Sequence, residues 1–364
     1  MVENLTDEEK IIKILKGLWP KNKAKGLIAQ AEFVKEVNRG SFGRDATEKF
    51  FDGCWLLAPK NNEFYKFRVC FFVHPEVLRD SQVPREPKQL FGRNYRPFHA
   101  IAEFLANAGM GIIYAVPVTD TGNLPLDEIR GGNFEHLKWK LFSFENGLLR
   151  ERDAMEFFEK WEGNRGRASH GNEWSTDSKR NIKTLDKKEL TVLLLNELFY
   201  SGLIKSVLKK PLNDPYDIDS FLVSISQKHV FPMEIKEKFP APSRDGKFFG
   251  IDAGRVMMML RMCVPNDANA LYLIREFDDR GNFIEWKYIT LSDMIMTASW
   301  NLQAGGLGMG GQTTQTIRLP YDYFKGFREA NITEDALVKI GNLPKEAREK
   351  AREFGLELSR RFHR

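Results

Sequence analysis

The sequence predicts a mixed fold of the α+β or α/β class: a mixed β-sheet core flanked by helices, accompanied by a separate N-terminal α+β domain. Three observations lead there. Short apolar runs rich in β-branched and aromatic residues alternate with segments of helical periodicity. Helix-start signals precede several of those segments. A polar, basic stretch near the middle interrupts both patterns.

A chain of 364 residues with 42% hydrophobic content is long enough for more than one core, and two domains is the expectation. With 29% charged residues it reads as a soluble globular protein. The net charge of +5 favours a polyanionic partner without the excess of a condensing protein. Cys54, Cys70 and Cys263 show no CxxC spacing and no disulfide framework, which fits a reducing compartment. The start, MVENLTDEEK, is acidic and has no apolar targeting core. No apolar run reaches the roughly 18 residues of a spanning helix, so the expectation is a cytoplasmic protein with no membrane segment.

Taken in order, Thr6 with Glu9 forms a capping-box pattern ahead of Ile11, Ile12, Leu15 and Leu18, and a second helix is expected over 25–37. Strands at 51–57 and 64–73, joined through PKNNE, read as a hairpin. A helix at 97–107, strands at 111–118 and 137–144, and a helix at 152–161 complete the N-terminal domain, residues 1–162.

Residues 163–188, GNRGRASHGNEWSTDSKRNIKTLDKK, carry seven Lys or Arg against three acids and read as a basic linker. Two roles stand open for it, a solvated tether and a strap that settles on phosphate. The second domain, 189–330, opens with a helix at 189–203. It continues with the hairpin DIDSFLVSISQKHVFPMEIKEK (217–238), a helix at 252–261, and strands at 270–277 and 283–289. AGGLGMGG, from Ala304 to Gly311, lacks the lysine and hydroxyl of a P-loop and reads as a flexible loop. Residues 331–364 carry two terminal helices, whose starts are marked by Thr333 and Pro344.

The hairpin places charge where apolar residues are expected. Glu234 and Lys236 are two apart on one strand and must share a face. With a turn at Ser226 to His229, Ile225 faces Val230, Asp219 falls opposite Lys236, and Phe221 falls opposite Glu234. Asp219, Glu234 and Lys236 then gather near one end. Two close carboxylates repel unless a cation lies between them, and hard oxygen donors suit Mg²⁺, with Mn²⁺ as a substitute. A carboxylate-held metal beside a lysine suits phosphodiester hydrolysis.

This arrangement resembles the D…ExK signature of the PD-(D/E)XK nuclease superfamily, which includes type II restriction endonucleases and Holliday-junction resolvases. The α-β-β-α-β order from 189 to 277 is similar to that family's core. The resemblance implies Asp219 and Glu234 as metal ligands, the Ile235 carbonyl as a further ligand, and Lys236 as the catalytic lysine. It also implies a role for an acid on the preceding helix, where Glu197 stands. On a helical wheel Glu197 falls between Leu190 and Leu193, and both a metal-directed and a partly exposed surface role are open to it. Pro215 does not directly precede an acid, which leaves Asp217 as a rival to the preferred Asp219.

Lys228, Lys238, Arg244, Lys247 and Arg255 are candidates for contacting the phosphates of double-stranded DNA. Asp252 reads as a helix cap, and Met257 to Met259 as core. The resemblance implies a Mg²⁺-dependent endodeoxyribonuclease of restriction type acting as a homodimer. Structure-specific recombination or repair is the nearest alternative, and a non-catalytic nucleic-acid-binding protein with a nuclease-like fold is the rival from another class.

Overall fold

A computed structural model describes residues 5–38, 48–57, 69–159, 161, 173–210, 216–224, 229–244, 246–298, 303–307, 313–327 and 338–362. The chain is mixed α/β, with a large mixed β-sheet flanked by helices. It divides into two compact units. Unit 1 comprises Met1–Glu32 and Asp52–Ile218; unit 2 comprises Phe33–Phe51 and Asp219–Arg364. The composition shift at 163–188 therefore does not coincide with a change of unit, and the helix beginning at Lys187 belongs to unit 1.

Unit 1 starts with helix Asp7–Leu18, whose Thr6 and Glu9 form the expected reciprocal capping box. Its strands are β1 (Glu48–Leu57, in this unit from Asp52), β2 (Val69–Val73), β3 (Leu78–Arg79), β4 (Gly111–Thr119), β5 (Lys138–Glu145) and β6 (Leu148–Arg152). Their order is β1-β2-β4-β5-β6, with β3 beside β4. β1 and β2 pair antiparallel, as the hairpin pattern predicts, with Trp55 opposite Phe71. The helix expected at 152–161 is shorter, Ala154–Phe158, because β6 occupies the residues before it. The β5–β6 turn is Asn146-Gly147, both with positive φ (52° and 75°), the backbone that a two-residue hairpin needs.

The described part of the basic segment is folded. Ser175 caps helix Thr176–Asn181, while Trp174, Ile182 and Leu185 are buried with Ile11, Leu15 and Trp19. The Trp174 indole donates to the Trp19 carbonyl (3.0 Å) and stacks on the Trp19 ring. Helix Lys187–Glu197, with its own capping box at Asp186 and Glu189, continues as a π-helical segment, Leu198–Val207. By length and mean hydropathy, Lys187–Val207 meets the requirement for crossing a membrane, which corrects the reading that no run does. Leu190, Leu194, Leu195, Leu198, Phe199 and Ile204 are nevertheless buried within unit 1, as in the core helix of a globular unit.

In unit 2 the strands are β7 (Tyr216–Ser224, in this unit from Asp219), β8 (His229–Lys238), β9 (Ala241–Ser243), β10 (Gly246–Asp252), β11 (Leu271–Phe277), β12 (Phe283–Thr290), β13 (Gln303–Leu307), β14 (Thr313–Pro320) and β15 (Lys325–Gly326). The order β15-β12-β11-β8-β7 has one parallel pair, β8 with β11, connected through helix Ala253–Cys263. β9 and β10 precede that helix and join β14 and β13 in a four-stranded sheet, which adds to the expected α-β-β-α-β order. Part of AGGLGMGG is therefore strand, at Ala304 to Leu307, and Gly308 to Gly311 lie outside the described residues. Helix Lys345–Phe362 follows Pro344 as expected; Thr333 lies outside the described residues.

Strand alternation divides the β7–β8–β11–β12 faces. Leu222, Phe231, Met233, Ile235, Leu271, Leu273, Trp286 and Tyr288 pack with Phe33, Val37 and Phe327 in one core. Asp219, Glu234, Lys236 and Tyr272 occupy the alternate positions. Gly250 on β10 anchors this second set, because its carbonyl accepts from the Tyr272 hydroxyl (3.0 Å) and from Lys238 Nζ.

A Cβ on Gly250 would lie 2.6 Å from Thr316 Cγ2 on β14. Gly250→Ala should lower unfolding stability by about 1–3 kcal/mol through overpacking. Adding Thr316→Ser, which removes that methyl, should recover most of the loss in denaturant titration.

His74 supplies a pH dependence in unit 1. Its backbone N–H donates to the Ala115 carbonyl (2.8 Å), and its Nδ1 lies 3.0 Å from the Tyr114 hydroxyl. Burial lowers its pKa to about 4, partly opposed by the Glu76 carboxylate. Below the unfolded imidazole's value near 6.5 the unfolded chain binds the proton and the native one does not. Stability should fall between pH 6.5 and about 4, with up to ~3 kcal/mol at stake. Thermal melts of His74→Asn should show a shallower slope across that window.

Candidate functional site

The hairpin register differs from the sequence expectation by two residues. Val223 pairs with Val230 and Ser224 with His229, and the four intervening residues, Ile225 to Lys228, lie outside the described set. Ser220 is opposite Met233, so the pairing extended by one residue sets Asp219 against Glu234 in place of Lys236. A slip of two conserves side-chain parity, and the three charged residues remain on one face. Pro232 precedes Met233, the first β8 residue paired with β11, and so escapes the doubly paired stretch where its missing N–H would cost a ladder bond.

The three side chains meet. Lys236 Nζ lies 2.7 Å from Glu234 Oε1 and 3.4 Å from Asp219 Oδ2. Asp219 Oδ2 also accepts from the Ile235 backbone N–H at 2.6 Å. Both acids are buried, with side chains 0% and 5% exposed, whereas Lys236 retains 31%. The lysine thus links a dry carboxylate pair to solvent. Ile235 itself faces the opposite core and is fully buried, so only its backbone is available to this side.

Sequence reasoning missed the second cation. Arg255, proposed as a phosphate contact, places its guanidinium 3.3 Å from Glu234 Oε2. It is the third residue of helix Ala253–Cys263, whose N-cap is Asp252, with Oδ1 accepting from Gly254 N–H (2.8 Å) as the cap pattern predicts. A cation in a first helical turn opposes the helix dipole. That misfit, visible in the sequence right after the cap, was the available signal of an anionic partner.

Tyr272 adds a neutral wall. On β11 it is registered against Glu234, and its side chain is fully buried. Burial, then the charges of Glu234 and Asp219, push its phenol well above the ordinary range, so it remains a donor to Gly250. Burying two carboxylates in this setting demands compensation. Removing one partner of a buried ion pair typically costs about 3–5 kcal/mol, because the other charge is stranded. Lys236, Arg255 and the Ile235 N–H supply that compensation here.

The remaining candidates have other surroundings. Glu197 is buried in unit 1, where it accepts from the Trp19 indole (2.8 Å) and Ser201 Oγ and pairs with Lys23. The polar cost anticipated from its helical wheel is met by these partners. Asp217 lies in unit 1, where its charge contributes, after burial and Cys70, to raising the Cys54 thiol pKa. Asp219 is the acid that reaches Lys236. Lys238 donates to Gly250, Arg244 and Lys247 are exposed, and Lys228 lies outside the described residues. His229, placed in the turn by the sequence pattern, is half-buried at the start of β8, and burial lowers its pKa.

The donor set fits a hard divalent cation of low protein coordination. Among the described residues no group of three or more His, Cys, Asp or Glu gathers, so a divalent ion at this face would have Asp219 and Glu234 as its carboxylate donors. Glu234 Oε1 is buried and has no hydrogen bond of acceptable geometry, although the lysine ammonium is within ion-pair distance.

Comparisons of the chain with protein-family models, with curated proteins and with solved structures find no match.

Proposed function

We propose that the chain is a Mg²⁺-dependent endonuclease that hydrolyses phosphodiester bonds in double-stranded DNA, of restriction type and active as a homodimer in the cytoplasm. The observation that carries this is the approach of Lys236 to both Asp219 and Glu234 on one face of the paired strands β7 and β8. Asp219 and Glu234 would hold the metal, with the Ile235 carbonyl as a further donor; Glu197, which has its own partners, is left out. When bound, the ion supplies polarisation of the phosphoryl oxygen and a more acidic water.

The chain's own residues do the rest. The Ile235 N–H holds one Asp219 oxygen in place, which fixes the carboxylate before substrate arrives. Lys236, the most solvent-accessible member, is suited to orient the attacking water and to offset charge building on the phosphate. Lys247 and Arg244, exposed on the β9–β10 side, would hold flanking phosphates without reading bases.

A second reading has its own supporting observation: Lys236 and Arg255 already neutralise the two acids. A non-catalytic nucleic-acid-binding protein could retain such a network as a packed ion-pair cluster.

Digestion of a mixed-sequence plasmid separates these readings. The enzyme should yield Mg²⁺-dependent cuts, with discrete fragments for a restriction-type activity, and Lys236→Ala should lower the rate at least ~100-fold. Preference for branched DNA would redirect the proposal to recombination or repair. Metal-independent cutting, or full activity in Lys236→Ala, would reject it. Salt-sensitive DNA binding without any cleavage, together with no calorimetric metal uptake that Asp219→Asn or Glu234→Gln abolishes, would establish the binding module.

A further inference from the structure

Among the described residues the ion-pair network of the site joins two acids to two cations, which balances their formal charge. Each oxygen of Glu234 has a cation beside it, Lys236 Nζ at 2.7 Å from Oε1 and an Arg255 guanidinium nitrogen at 3.3 Å from Oε2. A divalent ion arriving at Glu234 must therefore displace something. Lys236 is the more exposed of the two cations and also bonds Asp219. Arg255, 19% exposed, is withheld from water on a helix turn whose dipole disfavours it.

Resting on the metal-dependent reading above, we propose that Arg255 is a positioning residue that occupies Glu234 in place of the metal and is released to the substrate phosphate when metal binds. The exchange conserves the logic of charge. Metal on Glu234 makes the Arg255 contact redundant, and a guanidinium detached from its carboxylate meets the geometry of a phosphate through its paired N–H groups. Arg255 would then couple metal loading to phosphate grip, weakening metal affinity in the absence of DNA and strengthening substrate binding in its presence.

Mn²⁺ alone, titrated by calorimetry into the full-length chain, tests the exchange apart from activity. Arg255→Met, which retains an apolar stem, should bind Mn²⁺ about tenfold more tightly than wild type, because a charged competitor for Glu234 is gone. The same variant should cleave duplex DNA with a raised KM, and Arg255→Lys should fall between the two on both measures. A purely structural arginine would give unchanged or weaker Mn²⁺ affinity in Arg255→Met, and that result overturns the proposal. Should Arg255→Met fail to fold, Arg255→Lys carries the test, and Mn²⁺ affinity equal to or below wild type in that variant overturns it equally. Absence of Mn²⁺ binding in wild type would defeat the metal-dependent reading itself, and the exchange with it.

Discussion

Two carboxylates buried on one sheet face, Asp219 from β7 and Glu234 from β8, are the constraint around which unit 2 is built. Asp219 and Glu234 sit at positions where the alternation of β7 and β8 would otherwise place apolar side chains, as it does at Phe221 and Val223. Each acid removed from water needs a cation or a donor in contact. Lys236, two residues from Glu234, is supplied by the same strand. Arg255 comes from the helix that returns the chain to β11, and its placement depends on the Asp252 cap. The parallel β8–β11 pairing then closes the site with Tyr272, whose hydroxyl is anchored on Gly250.

This dependence makes the local structure and the chemistry inseparable. Gly250 has no side chain because Thr316 leaves none room, and its carbonyl collects both Tyr272 and Lys238. A carboxylate pair held by neighbouring cations is also a site poised between two uses. Such a cluster can remain a packed ion network; under the proposed function it exchanges one cation for a metal.

How much of this the sequence carried depends on the physical rule involved. Period-2 alternation placed Asp219, Glu234 and Lys236 on one face, and that survived a register error of two residues because such a slip preserves parity. The capping boxes at Thr6 and Asp186, and the Asp252 cap, are local, and those at Thr6 and Asp252 are legible; the Asp186 box begins inside a segment whose basic composition masks it. That composition also masks the packing of Trp174, Ile182 and Leu185, since it reports polarity and not which few apolar residues reach a core. β6 was missed although Asn146-Gly147 is a strong turn signal. Arg255 on Glu234 is a long-range contact, and only its awkward place in a helical first turn hinted at it.

Crystals grown with Mn²⁺ and measured for anomalous scattering would test the central claim most directly. A peak within bonding distance of both the Asp219 and Glu234 carboxylates is the predicted result. A structure that binds Mn²⁺ elsewhere, or leaves Lys236 and Arg255 undisturbed on their acids at saturating metal, would contradict the account.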